Sequence, residues 1–179
     1  MSAVGKQSIE ALFGDIASRS EPVACGAVAA ISCAGAAALV ELTVKLAEER
    51  LPGNAGLGQA ASLIAGLREE ALLLAEAERT AYSDAREASD LGMAADTPLR
   101  IAQIAADVAD AAAGVVGAGD WPFSPDAVAG AVLAEGAATI GALLVAENLT
   151  TAPDDPRLQA AQSASNRASQ ARRSAEGGR

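Results

Sequence analysis

The chain is 179 residues long, 51% hydrophobic and 20% charged, which suffices for one domain with a buried core and excludes wholesale disorder. Only 2% of it is aromatic, and alanine supplies most of the apolar count, so the interior must be built from small side chains at short range, which favours helices over sheets. With 13 basic against 23 acidic residues, a net charge of -10 and no basic run to follow a phosphate backbone, nucleic acid is excluded as a partner.

Taken in chain order, residues 8–17 read as a short amphipathic helix, with Ile9, Leu12, Phe13 and Ile16 on one face and Ser8 as N-cap. A second helix is predicted over 26–50, stopped by the LPGNAGLG loop, and a long charged third helix over 59–91. Thr97-Pro98, Ser124-Pro125 and Asp155-Pro156 each read as an N-cap followed by proline at the first helical position. They open helices four and five and a polar terminal helix that frays at its end. No run of alternating β-branched residues reads as a strand. The fold class is therefore all-α, an Ala-rich bundle of five principal helices and a terminal one, with the bundle over 1–153 and the polar C-terminal helix and tail over 154–179.

Residues 22–40 and 127–146 approach the length of a membrane span. Both are rich in alanine and glycine, each has a carboxylate near it (Glu41, Glu135), and neither has flanking basic residues or an aromatic belt, so they read as central bundle helices. Small residues at Gly26, Ala30, Cys33 and Ala37 let helix axes approach closely, a seam suited to a core or to a homo-oligomer interface. Cys25 and Cys33 are eight positions apart, about 12 Å along a helix, and cannot bridge within it. Two lone cysteines and no leader pattern point to a cytoplasmic, bacterial protein.

The sequence contains no histidine, which removes the commonest general base, the Ser-His-Asp triad and most zinc sites. No metal site or cofactor is expected, and proton transfer falls to Asp, Glu, Lys, Tyr or Cys. Several positions could do such work. The segment SEPVACGAVAA leads into the second helix through small residues, so backbone N–H groups there suit an anion, with Cys25 beside them; the spacing alone favours a tight helix start, with Cys25 as a buried small hydrophobe. Glu78 and Tyr82 stand at i and i+4, presenting a carboxylate and a phenol on one face, or simply a solvated face. Asp126 sits in the first turn of its helix, where the dipole favours a carboxylate. Glu41 and Glu135 stand isolated in apolar helices, where desolvation would raise a carboxyl pKa. Trp121 and Phe123 precede the fifth helix and suit either stacking on a flat heterocycle or closing the bundle's end.

In their order along residues 8–149, these features resemble the cyclodeaminase/cyclohydrolase family of folate one-carbon enzymes, found alone or fused to a formiminotransferase. The resemblance rests on EPVACGAVAA, on Glu78 to Ala81-Tyr82, on Pro125-Asp126, and on LVAEN ending at Asn148. It implies an Ala-rich helical homodimer acting on a methenyl- or formimino-tetrahydrofolate-type substrate by carboxylate-assisted proton transfer, with no cofactor. Asp126 and Glu78 would then be catalytic, and Gly26, Cys25, Tyr82, Trp121, Phe123 and Asn148 would bind substrate. The sequence departs from the family pattern at Ala24, Cys25 and Ala27 in the glycine-rich turn, at Pro125, and at Leu144, where the pattern has asparagine. These changes thin the polar groups of the pocket. They favour, as alternatives, the same bundle repurposed for a non-folate small molecule or serving as a non-catalytic scaffold.

Overall fold

The structure, a computed structural model, describes residues 6–18 and 25–178. Helix α1 (Ile9–Ile16) is followed by α2 (Cys25–Arg50), α3 (Ala55–Ala88), a 3-10 turn at Leu91–Ala94, α4 (Asp96–Gly117), α5 (Ser124–Asn148) and α6 (Pro156–Gly177). The described residues include no strand, and the molecule is all-α as its composition implied. Helix α4 sits centrally, packed against α2, α3, α5 and α6, and buries Ile101, Ile104, Val108 and Val115 together with a run of alanines.

Small side chains set the spacing of this core. A Cβ added to Gly130 of α5 would lie 2.7 Å from Val40 and 3.0 Å from the Ala36 carbonyl of α2, and one on Gly141 would lie 2.7 Å from the Pro98 carbonyl of α4. Backbone cannot yield as a flexible side chain does, so Gly141→Ala is expected to lower stability by about 1–3 kcal/mol in urea unfolding. Gly114, on the exposed side of α4 with open space around it, is the control. There Gly→Ala should stabilise, by up to about 1 kcal/mol, through helix propensity alone.

Helix ends follow the sequence expectations in part. Ser8 caps α1 by accepting from the Ala11 amide, and Asp155 caps α6 by accepting from the Arg157 amide. The loop after α2 is shorter than predicted, because Asn54 accepts from the Gly56 and Leu57 amides and starts α3 at Ala55, so that two of the expected loop glycines are helical. At its other end α3 stops at Ala88, where Ser89 turns left-handed at φ 55°. Neither Thr97 nor Ser124 is a cap. The chain enters α4 already wound at Ala95, and Ser124 is the first residue of α5, behind Phe123.

Helix α6 does not fray before Gly177. Its alanine stripe Ala164, Ala168, Ala171 and Ala175 joins the same core as α2, α4 and α5, and Arg172, paired within α6 with Glu176, ties it to Glu135 of α5.

Candidate active site

Helices α3 and α5 both pack against α2, and their C-terminal parts border a cleft of about 1090 Å³. Cys25 at the start of α2, Glu78 and Tyr82 on α3, Leu91 of the 3-10 turn, and Leu144 and Asn148 at the end of α5 line it. The sequence spacing that put Glu78 and Tyr82 on one face is thus realised in one cleft, with Tyr82 at the mouth, 42% exposed, and Glu78 at the base, 3% exposed.

Glu78 is the chemically distinctive group. Its carboxyl lies directly on Gly26: a Cβ at position 26 would stand 2.2 Å from Oε1 and 2.5 Å from Cδ. Its Oε2 is buried without a hydrogen-bond partner among the described residues. Burial pushes the carboxyl up to about 7. A carboxyl poised there exchanges protons near neutral pH in either direction. The cleft around it also carries Glu76, Asp84, Glu87 and Glu147 against Arg79 and Arg86, and Arg79 is ion-paired to Glu76 at 3.5 Å. That excess of carboxylates favours a cationic group on a ligand. Asn148 is 9% exposed and donates through Nδ2 to the Ala94 carbonyl at 3.2 Å, tying the end of α5 to the 3-10 turn that walls the cleft.

Three predicted site residues are not brought to this cleft within one chain. Asp126 lies in the first turn of α5 and Asn148 at its end, about 33 Å apart along the axis at about 1.5 Å per residue. Trp121 and Phe123 are at that far end too. Their rings stack at 5.7 Å, the Trp121 indole donates to the Val115 carbonyl at 2.8 Å, and Arg50, the last residue of α2, lies over Phe123. Within the chain these contacts hold the pair at the end of the bundle.

The other candidate acids are engaged. Glu41 is not isolated: it accepts from Lys45 at 2.6 Å and from Arg68 of α3 at 2.9 Å. The Lys45 hydrogen bond, with Arg68 and against the opposing effect of burial, holds its carboxyl below the usual range, the reverse of the expectation from its apolar surroundings. Glu135 pairs with Arg172. Cys25 is exposed rather than buried, whereas Cys33 is enclosed, and burial together with Asp107 pushes its thiol up to about 12. The segment ahead of Cys25, including the proposed anion-binding turn and Ala24, lies outside the described residues. What the sequence did not reveal was the contact of Gly26 with Glu78, since no spacing rule links positions on separate helices.

Comparison with known proteins bears on the fold and the family. No curated protein matches the chain by sequence. Among solved structures, formiminotetrahydrofolate cyclodeaminase from Thermotoga maritima shares the fold, with a TM-score of 0.89 at 17% identity over 98% of this chain and 96% of that one. Residues 70–167, which include Glu78, Tyr82, Asp126, Leu144 and Asn148, match the family model described as formiminotransferase-cyclodeaminase. More than half the chain lies in that match, and it belongs to the formiminotransferase-cyclodeaminase family.

Proposed function

We propose that the protein is an enzyme of the cyclodeaminase/cyclohydrolase type, acting in the cytoplasm as a homodimer on a formimino- or methenyl-tetrahydrofolate-type substrate. The observation that carries this reading is Glu78: a buried carboxyl whose Oε2 has no hydrogen-bond partner among the described residues, with its pKa raised to about 7, facing a cleft rich in carboxylates. In such substrates one carbon bridges two nitrogens as an amidine or its cyclic cation. Its positive charge suits the acidic cleft. Closing the ring expels ammonia, and Glu78 in its acid form can deliver the proton that the departing nitrogen needs; opening it with water requires the carboxylate to take a proton from that water. The chemistry asks for proton transfer and orientation, which these side chains supply without a cofactor.

Leu144 supports the second reading, a ligand other than folate. It lines the cleft where the family pattern places asparagine, so donor and acceptor capacity is lost beside Asn148, whose amide nitrogen is already committed to Ala94. Trp121 and Phe123, the stacking surface of that reading, stack on each other at the far end of α5 in the same chain.

The test is loss of the methenyl chromophore with and without protein, beside thermal shift with tetrahydrofolate derivatives. The expected result is turnover slower than about 1 per second, raised by Leu144→Asn. No binding and no turnover, with stabilisation by a different small molecule, would replace the folate reading with the second one.

A further inference from the structure

Cys25 opens α2, is exposed, and lines the same cleft as Glu78. It is one of the positions at which the sequence departs from the family's glycine-rich turn, so this chain has a nucleophile there. The next residue is Gly26, on which the Glu78 carboxyl is pressed, with Oε1 2.2 Å from the place of a Cβ. Neighbouring Cα atoms are about 3.8 Å apart, so Glu78 Oε1 lies no more than about 7.5 Å from the Cys25 Cα whichever way the chain turns, and one small ligand group can touch thiol and carboxyl together. A second observation points to a ligand independently of the thiol. Glu78 is 3% exposed and its Oε2 has no hydrogen-bond partner among the described residues, a buried acceptor that waits for a donor. Around the mouth Glu76, Asp84, Glu87 and Glu147 outnumber Arg79 and Arg86, which selects a cation as that donor.

We infer that Cys25 is a nucleophile of this cleft and that the group it attacks is the carbon of an amidinium held by Glu78. An amidinium is planar, carries a positive charge and offers two parallel N–H donors, the pairing that a carboxylate makes with a guanidinium, and its central carbon is an electrophile. The step balances within these groups. As the C–S bond forms, the thiol proton passes to the Glu78 carboxylate, directly or through one water, and the C=N electron pair returns to nitrogen. Glu78 then gives that proton to the amino group, the C–N bond breaks, ammonia leaves, and a thioimidate remains on Cys25. A second amine of the ligand closes on the same carbon, its proton going to sulfur as the C–S bond breaks. Water in place of that amine gives the formyl compound, one proton going to sulfur and the other to Glu78. Nothing is oxidised or reduced. Burial brings the Glu78 carboxyl to about 7, where it can take and return a proton in turn. Cys33 has no part in this, being buried, with its thiol pushed up to about 12 by burial and Asp107. The amidinium class rests on the proposed function, whereas the preference of Cys25 and Glu78 for such a group can be measured without any folate.

The first experiment uses two small alkylating probes, 2-chloroacetamidine, a cation, and 2-chloroacetamide, its neutral isostere. With either one the sulfur displaces chloride from the methylene carbon, and intact-mass spectrometry follows the adduct. Each rate is divided by that of N-acetylcysteine under the same conditions, so that only the preference of the protein remains. The wild type is expected to favour the cationic probe at Cys25 by about tenfold or more, the usual strength of one charge-assisted hydrogen bond, with Cys33 unlabelled. Glu78→Gln should abolish that preference, and Cys25→Ser should remove the adduct. No preference for the cation, or one that survives Glu78→Gln, overturns the proposal. The second experiment follows formation of the methenyl chromophore from formiminotetrahydrofolate above the rate without protein. Beside an active wild type, Cys25→Ala and Cys25→Ser are each expected to lose about 10²-fold or more in kcat. Wild-type kcat in Cys25→Ala overturns the nucleophile. An inactive wild type overturns the folate reading instead and leaves the ratio of the two probes to decide the role of Cys25.

Discussion

Glu78→Gln is expected to abolish turnover and, at pH 8, to make the protein more stable. Both effects have one cause. Glu78 is 3% exposed, pressed on Gly26, and its carboxyl is raised from 4.5 to about 7 by burial. Between those pH values the unfolded chain has lost the proton that the folded one retains, so the native state binds more protons and unfolding free energy falls as pH rises. Above pH 7 the folded protein carries a buried charge, at a cost on the order of 3 kcal/mol from the size of the shift. Glutamine keeps the shape and removes that charge. Urea unfolding of the two proteins from pH 4 to pH 8 should therefore give curves that diverge through this window and run parallel beyond it. Turnover should fall by about 10²–10⁴-fold, the usual worth of a general acid or base. Curves parallel throughout, or unchanged turnover, would remove Glu78 from the chemistry.

What the sequence made legible was local. Apolar spacing and the caps Ser8 and Asp155 located helices well, because a helix end is decided by a few adjacent residues. Thr97 and Ser124 misled because each already lies inside its helix, behind Ala95 and Phe123, leaving the hydroxyl no cap to make. The candidate site divided in the same way. Glu78 and Tyr82 share a helix and were found together by spacing. Glu41 was misjudged although Lys45, four positions along the same helix, was legible, and Arg68 adds to it from α3; Glu135 is not isolated because Arg172 reaches it from α6. Hydropathy identified α2 and α5 as central helices, and their inner faces are, but it does not report which side of a helix stays uncovered. The outer side of α5, where Val132 and Leu143 stay exposed, is visible only once α4, α2 and α6 have taken their places around it.

Gly26→Ala is expected to leave the fold intact and to disable the site. Position 26 is inside the first turn of α2, where alanine is the better helix former by about 1 kcal/mol, so the backbone has no objection to it. The obstacle is one side chain: the new methyl would lie 2.2 Å from Glu78 Oε1 and 2.6 Å from Cγ. A carboxyl at the end of a flexible stem gives way before two packed helices do, and the direction open to it is outward into the cleft. Once there it regains water, the desolvation that raised its pKa is relieved, and the carboxyl titrates closer to its ordinary value. The variant should thus lose much of the stability change between pH 4.5 and 7 that marks the wild type. Any remaining turnover should lose its acid form at lower pH. Because both substitutions act on the same group, their effects on stability should not add: Gly26→Ala in a Glu78→Gln background should alter the pH dependence of unfolding no further. A Gly26→Ala protein with the wild-type pH profile of stability would mean that the Glu78 carboxyl stays buried when Gly26 is filled, and that the glycine is there for the backbone alone.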